Sequence, residues 1–302
     1  MRIISSSNID LCLSDRDAIE ILRQGYRSFA QVSAPLTASI PRPDTQAGQF
    51  AVQPAWSDFA GQGHIDRGYV GCSLSLALPE QTGDPSGLYV LFSGSGGQPI
   101  ALLDGVRLAT WRDAGLHALA AAYLSREDAH RLLVIGSDPR LPRLISAYSA
   151  VRNITSILFA GTDKEIRRRI AGISELSHVS AGVTDDISSA LEGADIVCLA
   201  GPEAGSGDWI DLSKFDPPAG CHVDALVANP PIPDTLWQEA RLFTTNLKSA
   251  PRTNCEWTAG LEELARGERA GRRYYGQRTL FVPCPDTGLA DFVLAAHVFL
   301  KA

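Results

Sequence analysis

The sequence predicts an α/β protein in which a doubly wound parallel sheet is joined to an α+β region built from the N-terminal part and the last helix. Three observations predict it. Short apolar runs at 132–135, 154–159, 196–199, 223–227 and 279–282 alternate with helical patterns, which is the rhythm of repeated βαβ units. Upstream, Val70, Cys72, Leu74, Leu76 and Leu78 alternate with small residues, as strands of an antiparallel sheet do. One last apolar helix follows Pro285-Asp286-Thr287-Gly288, so the chain returns to pack on its first part.

Taken in order, Ser14 with Asp17 three residues on reads as a helix start, and Ala18, Leu22, Tyr26 and Phe29 recur at helical spacing. An amphipathic helix therefore opens the protein. Residues 88–92 and 100–103 flank Ser93-Gly94-Ser95-Gly96-Gly97, the signature of a glycine-rich hairpin. Residues 108–124, rich in Ala and Leu, form a long helix that leaves the sheet. The 302 residues suit two domains or one large one, and 45 % hydrophobic with 20 % charged residues is ordinary for a folded chain.

The formal charge of −7 offers no positive field for nucleic acid or an anionic membrane. No apolar stretch approaches the roughly 18 residues of a membrane span. The first 13 residues carry Asp10 and a serine run where a secretory signal would have a basic end, so the expected compartment is the cytoplasm. Six cysteines lie far apart without CxxC spacing, and no His/Glu or His/Cys spacing points to a metal.

Four segments carry a resemblance: Pro99-Ile100-Ala101-Leu102-Leu103-Asp104-Gly105, Leu108-Ala109-Thr110-Trp111-Arg112-Asp113-Ala114, residues 120–126, and Asp286-Thr287-Gly288-Leu289-Ala290-Asp291. Together they resemble the ornithine cyclodeaminase and mu-crystallin family over nearly the whole chain. The resemblance implies a Rossmann-like dinucleotide-binding domain at 120–285 and a substrate-binding and dimerisation domain from 1–119 and 286–302. It also implies a homodimer that uses NAD(P) to deaminate, cyclise or reduce small amino and imino acids.

Its reacting residues are altered here. Ser73, in Val70-Gly71-Cys72-Ser73, stands where the family has a substrate-binding lysine, and Asn229, before Pro230-Pro231, stands where it has an acid/base aspartate. An amide does not exchange a proton at neutral pH. A shifted register would bring Asp224 or Asp234 into that role instead. Arg112 matches the arginine that grips a substrate carboxylate with two parallel hydrogen bonds, with an interdomain salt bridge as the bland alternative. Arg42, between Pro41 and Pro43, approximates a second such arginine or is a solvated loop residue.

The glycine-rich turn reads Gly136-Ser137-Asp138-Pro139-Arg140, keeping its first glycine and losing the second. Asp138 before Pro139 reads as a helix cap with proline at the first helical position, so a pyrophosphate would meet a negative charge, with Arg140 in partial compensation. Thr162 and Asp163 are the candidates for the ribose end, Asp163 also reading as a helix cap, and Gly288 is the remaining cofactor candidate. The run Arg167, Arg168, Arg169 reads first as a solvated helix face. His117 and His222 read as hydrogen-bonded structural histidines, and Trp56, Trp111 and Trp257 as core residues. The expected function is an NAD(P)-linked imine reductase or amino-acid dehydrogenase acting on a small carboxylate. The alternatives are an enzyme of the same fold without a dinucleotide, performing a cyclisation or isomerisation, and a catalytically silent binding protein.

Overall fold

The structure is a computed structural model that describes residues 1–28, 30–43, 46–59, 68–79, 86–284 and 287–302. Phe29, Pro285 and Asp286, used in the sequence reading, lie outside them. The chain divides into two compact units, Met1–Asp113 with Asp286–Ala302, and Ala114–Pro285.

The first unit does not begin with the amphipathic helix. Strand β1 (Arg2–Ile4) and helix α1 (Ser6–Cys12) precede it, and β1 pairs in parallel with β7 (Pro99–Asp104), a partner too distant in sequence for local patterning to reveal. Helix α2 (Asp15–Arg27) then starts as expected, with Ser14 accepting from the Asp17 N–H at 3.2 Å. Strands β2 (Gln31–Val32), β3 (Leu36–Ile40), β4 (Gly48–Trp56), β5 (Tyr69–Ala77) and β6 (Ser86–Ser93) complete a sheet of order β1-β7-β6-β5-β4-β2, with β3 also on β4. The β6–β7 hairpin closes through Ser93 and Gly97, whose φ of +68° suits glycine. Helix α9 (Gly288–Lys301) packs on α2 and on β4 and β5. Helix α3 (Gly105–Leu124) is tied to α1 where Arg107 grips both Asp10 oxygens at 2.6 Å and buried Trp111 donates to Asp10 at 2.8 Å.

The second unit is a parallel sheet of order β10-β9-β8-β11-β12-β15-β13-β14. Five strands fall on the expected apolar runs: β8 (Arg131–Ile135), β9 (Ser156–Ala160), β11 (Ile196–Leu199), β12 (His222–Ala225) and β15 (Thr279–Val282). Three were not expected: β10 (Ser180–Val183), β13 (Arg241–Thr244) and β14 (Trp257–Gly260). Helices α4 (Leu141–Val151), α5 (Lys164–Ala171), α6 (Ile187–Glu192), α7 (Asp234–Glu239) and α8 (Leu261–Arg266) lie between strands. Burial of both sheet faces explains the continuous apolar runs. β8 and β11 are neighbours although β9 and β10 intervene in sequence, and such a change of strand order opens a crevice at the strand ends.

Candidate active site

In the first unit, Arg112 of α3 meets Asp291 of α9, and Tyr89 of β6 lies near Asp291. Ser73 lies on β5, directly opposite Gln53 of β4 and Tyr89 of β6. A side chain at Gly71 would come within 2.1 Å of the Tyr89 hydroxyl, so glycine makes room for the phenol. Tyr89 is buried and its hydroxyl has no hydrogen-bond partner among the described residues. Burial, with Asp291 and Cys72 nearby, raises its pKa well above the usual phenol value and keeps it protonated. Gly288 packs so closely on Gln53 and Val32 that a side chain there would lie 2.9 Å from each.

Arg112 has two carboxylate partners. Its Nε donates to Asp113 at 2.8 Å and its Nη1 to both oxygens of Asp291 at 3.0 Å. A guanidinium presents two forks, Nε with Nη2 and Nη1 with Nη2. One donor of each is therefore taken, and Nη2 alone is unpartnered among the described residues. Burial opposes the guanidinium charge, but Asp113 and Asp291 more than offset it and raise the Arg112 pKa. Burial also raises the Asp291 carboxyl above its ordinary range against the pull of Arg112. Arg42 is exposed in the loop after β3.

In the second unit, the turn after β8 corrects the capping expectation. Helix α4 begins at Leu141 after Arg140, not at Pro139, and the proline of its first turn is Pro142. Asp138 caps the preceding turn, its Oδ1 accepting from the Arg140 N–H at 2.8 Å. The same carboxylate holds the Arg140 guanidinium through Nε at 2.9 Å and Nη2 at 2.7 Å. A phosphate would thus meet an ion pair, Arg140 compensating the Asp138 carboxylate directly where the sequence suggested partial compensation.

Most main-chain donors of this turn are committed, and the Asp138 N–H is the one with no partner among the described residues. Gly136 N–H goes to Ala160, Ser137 N–H to Pro202 and Leu141 N–H to Asp138, while Pro139 and Pro142 have none. Gly136, at φ +85°, is sealed against the loop after β11, where a side chain would lie 1.7 Å from the Gly201 oxygen. Thr162 is buried with its hydroxyl on the Gly136 carbonyl at 2.7 Å. Asp163 is a helix cap, accepting from Glu165 and Ile166 at the start of α5.

Asp224 is fully buried and held by His117 Nδ1 at 2.6 Å and by the Tyr148 hydroxyl at 2.6 Å. It ties β12 to α3 and α4 and is closed to solvent. His222 shares a hydrogen bond with Thr279 at 3.0 Å, and burial pushes its pKa down to about 4, so it is neutral. Asn229 is exposed beyond β12, and Asp234 opens α7 with an ion pair to Arg252 at 3.4 Å. Trp111 is a core residue, and Trp257 stacks edge-on against Trp237. Among the described residues no cluster of three or more His, Cys, Asp or Glu could hold a metal, and no helix is long and apolar enough to cross a membrane.

Sequence reasoning missed Asp113 and Asp291 as partners of Arg112, although both lie inside the segments quoted for the resemblance. It missed Tyr89 and Tyr148 because a tyrosine in an apolar run carries no local signal of what its hydroxyl meets.

Comparison with known proteins adds the lineage. The chain is 28 % identical over 237 residues to the Δ1-pyrroline-2-carboxylate reductase of Colwellia psychrerythraea, covering 75 % of this chain and 70 % of that one. It is 26 % identical over 239 residues to the enzyme of the same name from Bacillus cereus, covering 72 % and 71 %. The fold is shared with Thermococcus litoralis Δ1-pyrroline-2-carboxylate reductase, solved with NADH and L-proline, at a TM-score of 0.81 and 17 % identity over 100 % of this chain and 97 % of that one. It is shared too with the iminosuccinate reductase of Paracoccus denitrificans, solved with NAD+, at 0.77 and 17 % over 100 % and 96 %. The model of the ornithine cyclodeaminase/mu-crystallin family matches residues 9–299, and the chain belongs to that family.

Proposed function

We propose that this chain is an NAD(P)-linked oxidoreductase of C–N bonds that reduces the imine of a small carboxylate, or oxidises the matching amine in reverse. The observation that carries this reading is the pair of pyrroline-2-carboxylate reductases that align with more than two thirds of the chain. Imine reduction is also the family chemistry that tolerates Ser73 and Asn229 best, since an imine that arrives protonated requires neither an ammonium nor an acid/base carboxylate from the protein.

The turn after β8 fits a dinucleotide through side chains. With the main-chain donors at 136, 137, 140 and 141 committed, the phosphates would be held by the Arg140 guanidinium and the Ser137 hydroxyl, with Gly136 fitting the turn against Gly201 and Thr162 bracing it. Bound there, the dinucleotide supplies or accepts the hydride. On the substrate side, Nη2 of Arg112 takes one carboxylate oxygen, with Arg42 as the second contact. Ser73 offers the substrate a hydrogen bond and moves no proton, and an amide at Asn229 likewise supplies no acid or base. In this reading residues 1–119 with 286–302 are the substrate-binding and dimerisation domain of a cytoplasmic homodimer.

The committed donors favour one second reading, an enzyme of this fold that has given up the dinucleotide. Titration of the purified protein with NADH and NADPH by fluorescence or calorimetry separates the two. Saturable binding of either cofactor supports the reductase, and no binding of both supports the second reading.

A further inference from the structure

At the outer edge of the doubly wound unit, α5 and the turn Ser174–Leu176 leave a half-open cavity of 410 Å³ against the sheet. That volume is in the range of small-molecule sites. The cavity exists because β10 is an edge strand, paired only with β9, and the eight-residue α5 is too short to cover both strands. Phe159, Leu176, Val179 and Val183 form its apolar wall, and Val183 is 57 % exposed.

The rim is cationic, with Lys164, Arg167 and Arg168 and no carboxylate among the lining residues. Arg168 is neutralised by Glu165, which it grips at 2.8 and 2.7 Å. Lys164 has no ion-pair partner among the described residues, and Arg167 makes one hydrogen bond, from Nε to the Thr162 carbonyl at 3.3 Å. Two uncompensated cations thus flank an apolar hollow in a chain whose net charge is −7. A free phosphate would satisfy the cations and leave the apolar wall wet. A neutral apolar molecule would leave the cations unused.

We propose that this cavity binds a small amphipathic anion, its apolar body against the Phe159–Val183 wall and its single acidic group between Lys164 and Arg167. A linear acyl carboxylate and an aromatic acid share that chemistry. The site is independent of the reductase reading, since it uses neither the turn after β8 nor Arg112.

The test titrates the full-length protein with anilinonaphthalenesulfonate, a fluorescent apolar anion, and then displaces it with decanoate, naphthoate or NADH. Saturable binding is expected, displaced by decanoate if the ligand is linear or by naphthoate if it is aromatic. The double variant Lys164→Glu/Arg167→Glu should bind at least about tenfold more weakly, the scale of one partly desolvated ion pair. Ala181→Trp, at an exposed lining position, should abolish binding while leaving the charges and the melting temperature in place. Unsaturable fluorescence, displacement by NADH alone, or affinity unchanged in both variants would overturn the proposal.

Discussion

Asp138 occupies the position of greatest leverage among single residues. Its carboxylate both caps the turn and pairs with Arg140, so Asp138→Gly removes a structural bond and the negative charge beside that guanidinium at the same time. The variant should lose about 1–2 kcal/mol of stability and gain affinity for NADH or NADPH. A melting curve with a calorimetric titration checks both halves, and unchanged affinity would mean that Arg140 does not meet phosphate. Asp224 is the opposite case, a carboxylate whose work is internal. Asp224→Ala strands His117 and Tyr148 in the interior and should cost roughly 3–5 kcal/mol in denaturant unfolding. His222 gives the molecule a pH dependence. Its pKa is about 4 in the fold and 6.5 as the ordinary value, so below pH 6.5 the unfolded chain takes up a proton that the native state refuses. Stability should therefore fall by up to roughly 3 kcal/mol as pH drops from 6.5 to 4, and His222→Asn should flatten the slope of melting temperature against pH.

Among elements, the legible ones announced themselves locally. Ser14 and the apolar stripe after it define α2, and the buried strands of the parallel sheet appear as apolar runs because both faces are covered. The elements that escaped depend on partners. β1 is three residues stabilised by distant β7, while β10, Ser-Ala-Gly-Val on an exposed edge, has no apolar run to read. The site was legible as positions and not as contacts. Arg112 stood out in the sequence, but Asp291, which takes part of its hydrogen-bonding capacity, is reached only when α9 folds back. The turn after β8 shows the same limit, since nothing local says that Gly136 lies against Gly201. Gly136→Ala forces a side chain into the Gly201 oxygen at a left-handed backbone position. It should cost more than about 4 kcal/mol, visible as loss of soluble folded protein or a collapsed melting temperature.

For the whole molecule, membership of the family carries the architecture, and in the proposed reading residues 73, 112, 138 and 229 decide the chemistry. Ornithine cyclodeamination should be absent or very weak, because Ser73 and Asn229 replace two polar functions and each tenfold loss of rate corresponds to about 1.4 kcal/mol of transition-state stabilisation. Ammonia release from ornithine under saturating NAD+ measures this directly. Imine reduction is measured by supplying Δ1-pyrroline-2-carboxylate with NADH or NADPH to the purified protein and following cofactor oxidation together with proline formation. One proline is expected for each cofactor oxidised. Tight binding of either cofactor without any such turnover, across imines of other small carboxylates as well, would contradict imine reduction.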